Sequence, residues 1–258
     1  MPLTNHTPGY IQLLLRGLLA GLIAGLLAGA FAYFVGEPHI NAAIAIEEAA
    51  APPPAPGEAD EQALVERDTQ STTGLLLATS LYGIALGGIL ATAYTILRRR
   101  LHTGSDTHAA LGLAAAALTG IVVVPYLKYP PNPPAVGDPD TINQRTIAYL
   151  AVVVLGLVAI WAAVLAARTQ THTWRRAAAG TITFLIVVTI AYLLLPTFDE
   201  VPDDFPATLL WDFRISSLGT QAVLWTALGI TFAALLNQLA TRATSEQPAA
   251  TPESATTA

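Results

Sequence analysis

The sequence contains no cysteine, and charged residues make up only 12% of its 258 positions. A chain without cysteine forms no disulfide, no thiolate metal site and no cysteine nucleophile. Any bound metal must therefore use oxygen or imidazole ligands. A soluble domain carries about 25% charged residues, so the low charge argues against that class of protein.

Charge is absent altogether from six long apolar runs. They are residues 17–35, 74–97, 109–127, 147–167, 177–195 and 218–236. Because about 20 apolar residues form a helix that crosses the roughly 30 Å hydrocarbon core, each run predicts a transmembrane helix. We predict an all-α polytopic membrane protein with six spans in one domain over residues 13–240, after a leader at 1–12 and before a disordered tail at 241–258.

The basic residues indicate the orientation of these spans. Eight of the twelve lie in the segments on the same side as the N-terminus, which the positive-inside rule assigns to the cytoplasm. Both termini are therefore predicted to be cytoplasmic, in a multi-pass protein of the cell membrane. Fifteen of the eighteen acidic residues lie outside, where they either attract cations or belong to ordinary solvated loops. One alternative concerns the number of spans. Residues 30–32 imitate a signal-peptide cleavage site, and cleavage there would leave five spans.

Glycine recurs every fourth residue in span one, at Gly17, Gly21, Gly25 and Gly29. This spacing places the glycines on one helix face, where another helix can approach closely. Span two repeats the pattern at positions 83 and 87. The face is predicted to pack inside the bundle or against a second copy of the chain; a pore lining is the alternative.

Three predicted outer segments differ in pattern. In 36–73, Pro38 suits the first turn of a short interfacial helix, and 51–58 reads as a stiff polyproline linker. The segment 128–138 is too rich in proline for a helix and should be rigid and extended. The aromatic and leucine residues of 205–214 predict a second interfacial helix. Motifs for ATP binding and hydrolysis are lacking, so we do not expect an enzyme.

Short motifs in these outer segments and in span one point to a known family. They are LRGLLAG at 15–21, GEP at 36–38, AIAIE at 43–47, RDTQ at 67–70, YPPNPPAVG at 129–137, TI at 141–142 with Arg145, and DEVPDDFPA at 199–207 followed by Trp211, Phe213 and Arg214. Over about residues 13 to 240 the chain resembles CbtA, the predicted cobalt transporter subunit. The family is commonly drawn with five spans, whereas the sequence gives six.

The resemblance implies that Co²⁺ or the related Ni²⁺ is the transported ion and that no cofactor is bound permanently. Such ions accept carboxylate and imidazole ligands. Two acidic clusters near the outer ends of spans one and five are therefore predicted to meet at one vestibule. The candidate ligands are Glu37, His39, Glu47, Glu48, Asp199, Glu200, Asp203 and Asp204. The structural alternative is that Glu37 and Asp204 cap helices, and that Arg67, Arg145 and Arg214 neutralise carboxylates.

The predicted spans contain no acidic or basic residue that could relay an ion across the membrane. Either backbone carbonyls and Thr, Asn or Gln side chains line a path, or a partner supplies ligands. The resemblance implies such a partner, a small single-span CbtB-like subunit that bears histidine. The competing function is a membrane scaffold or assembly protein whose rigid outer loops bind another protein.

Overall fold

The computed structural model describes residues 9–50, 65–98, 100 and 105–245, with side chains described as far as residue 238. Within these residues the chain forms helices and no strands. Six helices are long and apolar enough to cross a membrane, which confirms the predicted class and the count of six. They are α1 (Tyr10–Ala50), α2 (Arg67–Leu97), α3 (Asp106–Lys128), α4 (Pro139–Arg168), α5 (Thr173–Leu194) and α6 (Ala207–Ser245, of which Ala207–Gln238 qualifies as a span).

The two predicted interfacial helices are parts of longer helices and not separate elements. The stretch Glu37–Ala50 continues α1, and the residues from Ala207 onward are the first turns of α6. At its other end, α6 extends to Ser245 and so includes the first five residues of the predicted tail at 241–258. The predicted polyproline linker at 51–58, residues 1–8 of the leader and residues 246–258 of the tail lie outside the described residues.

Wider π-helical turns explain why α1 does not end at its proline. The π-helical segments are Ala32–Gly36 in α1, Gln70–Gly74 in α2 and Leu118–Val123 in α3. A proline inside an α-helix lacks an N–H and clashes with the carbonyl four residues earlier. Pro38 and Pro125 each follow a π-helical segment, whose hydrogen bonds reach five residues back, as from Glu37 N–H to Ala32 O. The helix therefore continues through Pro38, where the sequence predicts a helix start.

The glycine face of α1 packs directly on the backbone of α2. A Cβ atom built on Gly83 would lie 2.8 Å from the Cα of Gly25, and one built on Gly87 would lie 2.9 Å from the Cα of Gly21. Such distances leave no room for a side chain, so the predicted close packing within the bundle is confirmed. Because α2 covers this face, the face neither lines a pore nor remains available to a second copy of the chain.

The buried core lies between α1, α2, α3 and α6. Alanine side chains of α1 fill it close to the glycine face, and the rings of Tyr94 and Phe232 meet edge to face with centroids 5.6 Å apart. Outside this core, α4 packs against α3 where Gly120 meets Gly156, and α5 packs mainly on α4. Much of the apolar surface of α5 is exposed, as expected for a helix that faces lipid.

Hydrogen bonds join the ends of neighbouring helices, or the residues next to them, at each end of the bundle. At the predicted cytoplasmic end, Arg168 Nη2 donates to the backbone oxygen of Arg100 at 2.8 Å. At the other end, Lys128 Nζ donates to Tyr192 O at 3.0 Å, which joins the end of α3 to the end of α5. The two groups of segments that the charge pattern separates therefore lie at opposite ends of the helices.

Candidate functional site

Glu37 is buried and paired with an arginine. Its residue surface is 6% exposed, and its carboxylate accepts a charge-assisted hydrogen bond from Arg67 Nη2 at the start of α2. The same guanidinium donates to the Oδ1 of Asn41 from Nε at 3.2 Å and from Nη2 at 2.9 Å. Asn41 lies one helical turn after Glu37, so both residues face the same partner. Glu37 thus joins α1 to α2, and since it lies within a continuous helix it does not act as the predicted helix cap.

The other candidate ligands of α1 are more accessible than Glu37. Glu47 and Glu48 are exposed, and His39 is partly exposed. An open cleft of about 790 Å³ lies beside Glu37 and is also lined by Asn41 and Asp68. Its acidic lining therefore consists of one carboxylate held by Arg67 and one exposed carboxylate.

Glu200 ties together two segments at the predicted outer end of the bundle. Its carboxylate forms an ion pair with Arg145 Nη1 at 3.1 Å and accepts a hydrogen bond from the backbone N–H of Asp138, also at 3.1 Å. The hydroxyl of Thr141 donates to its second oxygen. Its side chain is only 10% exposed. These bonds fix the non-helical segment before α6 against the start of α4.

The remaining acidic candidates of this segment are exposed, namely Asp199, Asp203 and Asp204. The structure does not bring the two acidic clusters into one cavity, because Glu37 and Glu200 line separate cavities that share no residue. Throughout the described ranges, three or more histidine, aspartate or glutamate side chains nowhere come together as a metal site.

The proline-rich segment 129–138 folds back over the bundle. Arg214 in α6 donates to Pro131 O at 3.3 Å and to Asn132 Oδ1 at 2.9 Å. It therefore holds a loop amide and a backbone carbonyl, where the sequence predicts that it neutralises a carboxylate. Tyr129 donates from its hydroxyl to Pro196 O at 2.6 Å. Burial raises the pKa of Tyr129 above its ordinary value, which favours the protonated phenol that donates this bond.

Beneath this loop lies a cavity of about 530 Å³, bounded by α2, α3, α4 and α6. Its wall combines tyrosine rings with charged and amide side chains. The charged groups are Lys128, Arg145, Glu200 and Arg214. Its volume falls within the usual range for small-molecule sites.

Sequence reasoning missed this cavity because it ended each span at the first charged residue. Arg214 precedes the predicted sixth span at 218–236, yet the structure places it inside α6. Arg145 likewise belongs to α4. Arginines within one or two turns of an apolar run, combined with a nearby proline-rich loop, are the signal that could have indicated a polar cavity at this end.

Comparison with known proteins identifies a family. No curated protein and no solved structure matches the chain. A family model described as "Probable cobalt transporter subunit (CbtA)" matches residues 10–237. The match covers all six spans and both acidic clusters, and the family is one of transporter subunits and not of enzymes. The chain is therefore a multi-pass membrane protein that belongs to the CbtA family.

Proposed function

We propose that this chain is the membrane subunit of an uptake transporter for cobalt or a related divalent metal such as nickel. The observation that carries the proposal is the family match across the whole six-span bundle. In this proposal, acidic side chains at the outer end attract the cation, and a small single-span CbtB-like subunit acts with this chain. No permanently bound cofactor is required.

The acidic groups divide into two roles in this proposal. Glu37 and Glu200 are occupied by Arg67 and Arg145, so they position the outer segments. The exposed carboxylates keep their charge available to a hydrated cation, which they attract through the electrostatic field of the surface. His39 is partly exposed on the same helix and offers an imidazole ligand. The exposed carboxylates in this role are Glu47, Glu48, Asp199, Asp203 and Asp204.

A partner subunit is proposed because the central parts of the spans lack ionisable relays. Between Arg16 and Glu37 in α1, and between Arg145 and Arg168 in α4, the chain has no acidic or basic residue. The same holds after Arg214 for the rest of the sixth span as far as residue 238. A divalent cation that leaves water needs charged or strongly polar ligands along its path. A second polypeptide with histidine side chains would supply them.

Charge-neutralising variants test the proposed capture surface. Glu47→Gln combined with Asp199→Asn should weaken the apparent affinity of cobalt uptake at unchanged membrane abundance, because both side chains are exposed. Asp106→Asn is the matched control, since Asp106 is an exposed carboxylate at the predicted cytoplasmic end. Normal uptake affinity in the double variant, with normal abundance, would place cation capture elsewhere.

A scaffold or assembly role remains the second candidate. It is favoured by the anchoring of segment 129–138 through Arg214 and Tyr129, which presents a rigid outer surface to another protein. A scaffold would tolerate neutralisation of the exposed carboxylates without any change in metal uptake. Unchanged uptake in the variants therefore does not by itself distinguish a scaffold from a transporter that captures the cation elsewhere. Uptake by the unaltered chain does, because a scaffold gives no cobalt accumulation above the vector control.

A further inference from the structure

The cavity beneath segment 129–138 has the wrong charge for a bare cation. Lys128, Arg145 and Arg214 contribute three positive charges to its wall, and Glu200 contributes one negative charge. The formal excess is therefore two positive charges. At short range and partial burial, like charges repel strongly, so a divalent cation is disfavoured here and an anion is favoured.

Arg214 has hydrogen-bonding capacity that the protein does not use. Its Nε and Nη2 atoms donate to Pro131 O and Asn132 Oδ1, while Nη1 makes no hydrogen bond to any described residue. Among the residues that the structure covers, no carboxylate lies within 4.0 Å of this guanidinium. An arginine on a membrane-spanning helix without a counter-ion is costly, and ionisable residues at such positions often mark a substrate or ion pathway.

Other groups of the wall are also incompletely satisfied. Lys128 Nζ donates to Tyr192 O and Thr197 Oγ1, which leaves the third of its three N–H groups available. Arg145 Nε and Gln221 Oε1 are buried and have no hydrogen-bond partner among the described residues. A buried donor or acceptor without a partner is unfavourable. A ligand that forms hydrogen bonds with these atoms after small side-chain rotations would therefore be stabilised.

We propose that this cavity binds a small organic anion of the hydroxycarboxylate class. Its carboxylates would pair with Arg214 and Lys128, and its hydroxyl would donate to Gln221. Tyrosine rings, including those of Tyr82 and Tyr149, and apolar side chains such as Val122 and Leu218 line the rest of the cavity. The carboxylate reaches the cavity either as the free anion or as a chelate of a divalent metal. This proposal does not rest on the proposed transport activity, because the cavity can bind an anion whether or not the chain transports cobalt.

Calorimetry tests the proposal with the full chain in phosphatidylcholine nanodiscs. Sodium citrate, the cobalt(II) complex of citrate and cobalt chloride are titrated separately. We expect citrate to bind with a stoichiometry of one and cobalt chloride alone not to bind in the cavity. A tighter titration with the cobalt complex identifies the chelate as the ligand, whereas equal or weaker binding identifies the free anion. Either result supports an anion site.

Variants connect binding to this cavity. Arg214→Gln and Lys128→Gln should each weaken citrate binding about tenfold or more, the loss expected for one charge-assisted hydrogen bond. Arg176→Gln is the control, because Arg176 is exposed on α5 and lines neither cavity. Ser217→Leu reduces the cavity volume without a change of charge and should also weaken binding. If Arg214→Gln fails to fold, Lys128→Gln and Ser217→Leu decide the outcome.

Three results would overturn the proposal. The first is the absence of citrate binding with or without cobalt. The second is citrate binding that all three cavity variants retain at full affinity. The third concerns protein in nanodiscs that contain phosphatidylglycerol. Native mass spectrometry would show that the wild type retains an anionic lipid and that Arg214→Gln does not, while citrate fails to bind. That result would assign the cavity to a lipid headgroup.

Discussion

Leucine in place of Gly21 and Gly25 together should separate α1 from α2. A Cβ on Gly21 would lie 2.7 Å from the backbone carbonyl carbon of Gly83, and a Cβ on Gly25 would lie 2.8 Å from the Cα of Ser80. Both contacts are with backbone atoms, so no side-chain rotation relieves them. The helices must move apart, and the alanine side chains of the same α1 face then lose contacts in the core.

The expected cost of these two substitutions follows from the overlap at each position. Overpacking at one site lowers the free energy of unfolding by about 1–3 kcal/mol. Two sites lower it by about 2–6 kcal/mol if their effects add. This is a large part of a typical stability of about 5–15 kcal/mol. For a chain of about this size, 1 kcal/mol lowers the melting temperature by about 2–4 °C. The double variant should therefore melt about 4–24 °C below the wild type.

The assay is size-exclusion chromatography after heating in mild detergent, which reports the fraction that remains folded. Gly112→Leu is the matched control, because a Cβ at Gly112 meets nothing within 4 Å. Its melting temperature should stay close to that of the wild type. A double variant that melts together with the control would refute the packing of the glycine face against α2.

Three further predictions concern topology, an ion pair and a loop anchor. Reporters fused after Arg100 should behave as cytoplasmic and those at Asp138 as external, and an inverted result would contradict the assigned orientation. Glu37→Gln should lower the free energy of unfolding in detergent by about 1.5–3 kcal/mol, because it removes a charge-assisted hydrogen bond and leaves Arg67 without its carboxylate partner. An unchanged melting temperature and membrane abundance would refute a structural role for the pair of Glu37 and Arg67. Tyr129→Phe should cost about 0.5–1.5 kcal/mol in thermal unfolding, since one hydrogen bond between segments is lost, and an unchanged melting temperature would show that this bond does not anchor the loop.

The spans could be predicted from the sequence because lipid imposes one simple requirement. A segment without charge and about 20 residues long must satisfy its backbone internally, and a helix does so. The glycine spacing also predicted a close helix contact, because a four-residue repeat returns to the same helix face. The repeat does not encode which helix covers that face, so the sequence alone does not distinguish packing inside the bundle from packing against a second copy of the chain.

The helix boundaries and the pairing of carboxylates required the structure. Pro38 reads as a helix start, yet the preceding π-helical segment carries α1 through it. Glu37 and Glu200 read equally as metal ligands or as partners of arginine, because sequence separation says nothing about contact. The structure places Arg67 and Arg145 against them. The positively charged cavity depends on four helices and a loop. Arginines beside the apolar runs indicate that a polar cavity could lie at this end, but they do not indicate which helices enclose it.

The most direct test of the proposed function is the uptake of radiolabelled cobalt by cells that express this chain together with a single-span CbtB-like partner. Vector, partner alone and this chain alone are the controls, and immunoblotting of membranes confirms that both proteins are present. We predict accumulation clearly above the vector control when both are expressed. If cobalt does not accumulate although both proteins are in the membrane, the assignment of this chain to cobalt uptake is contradicted.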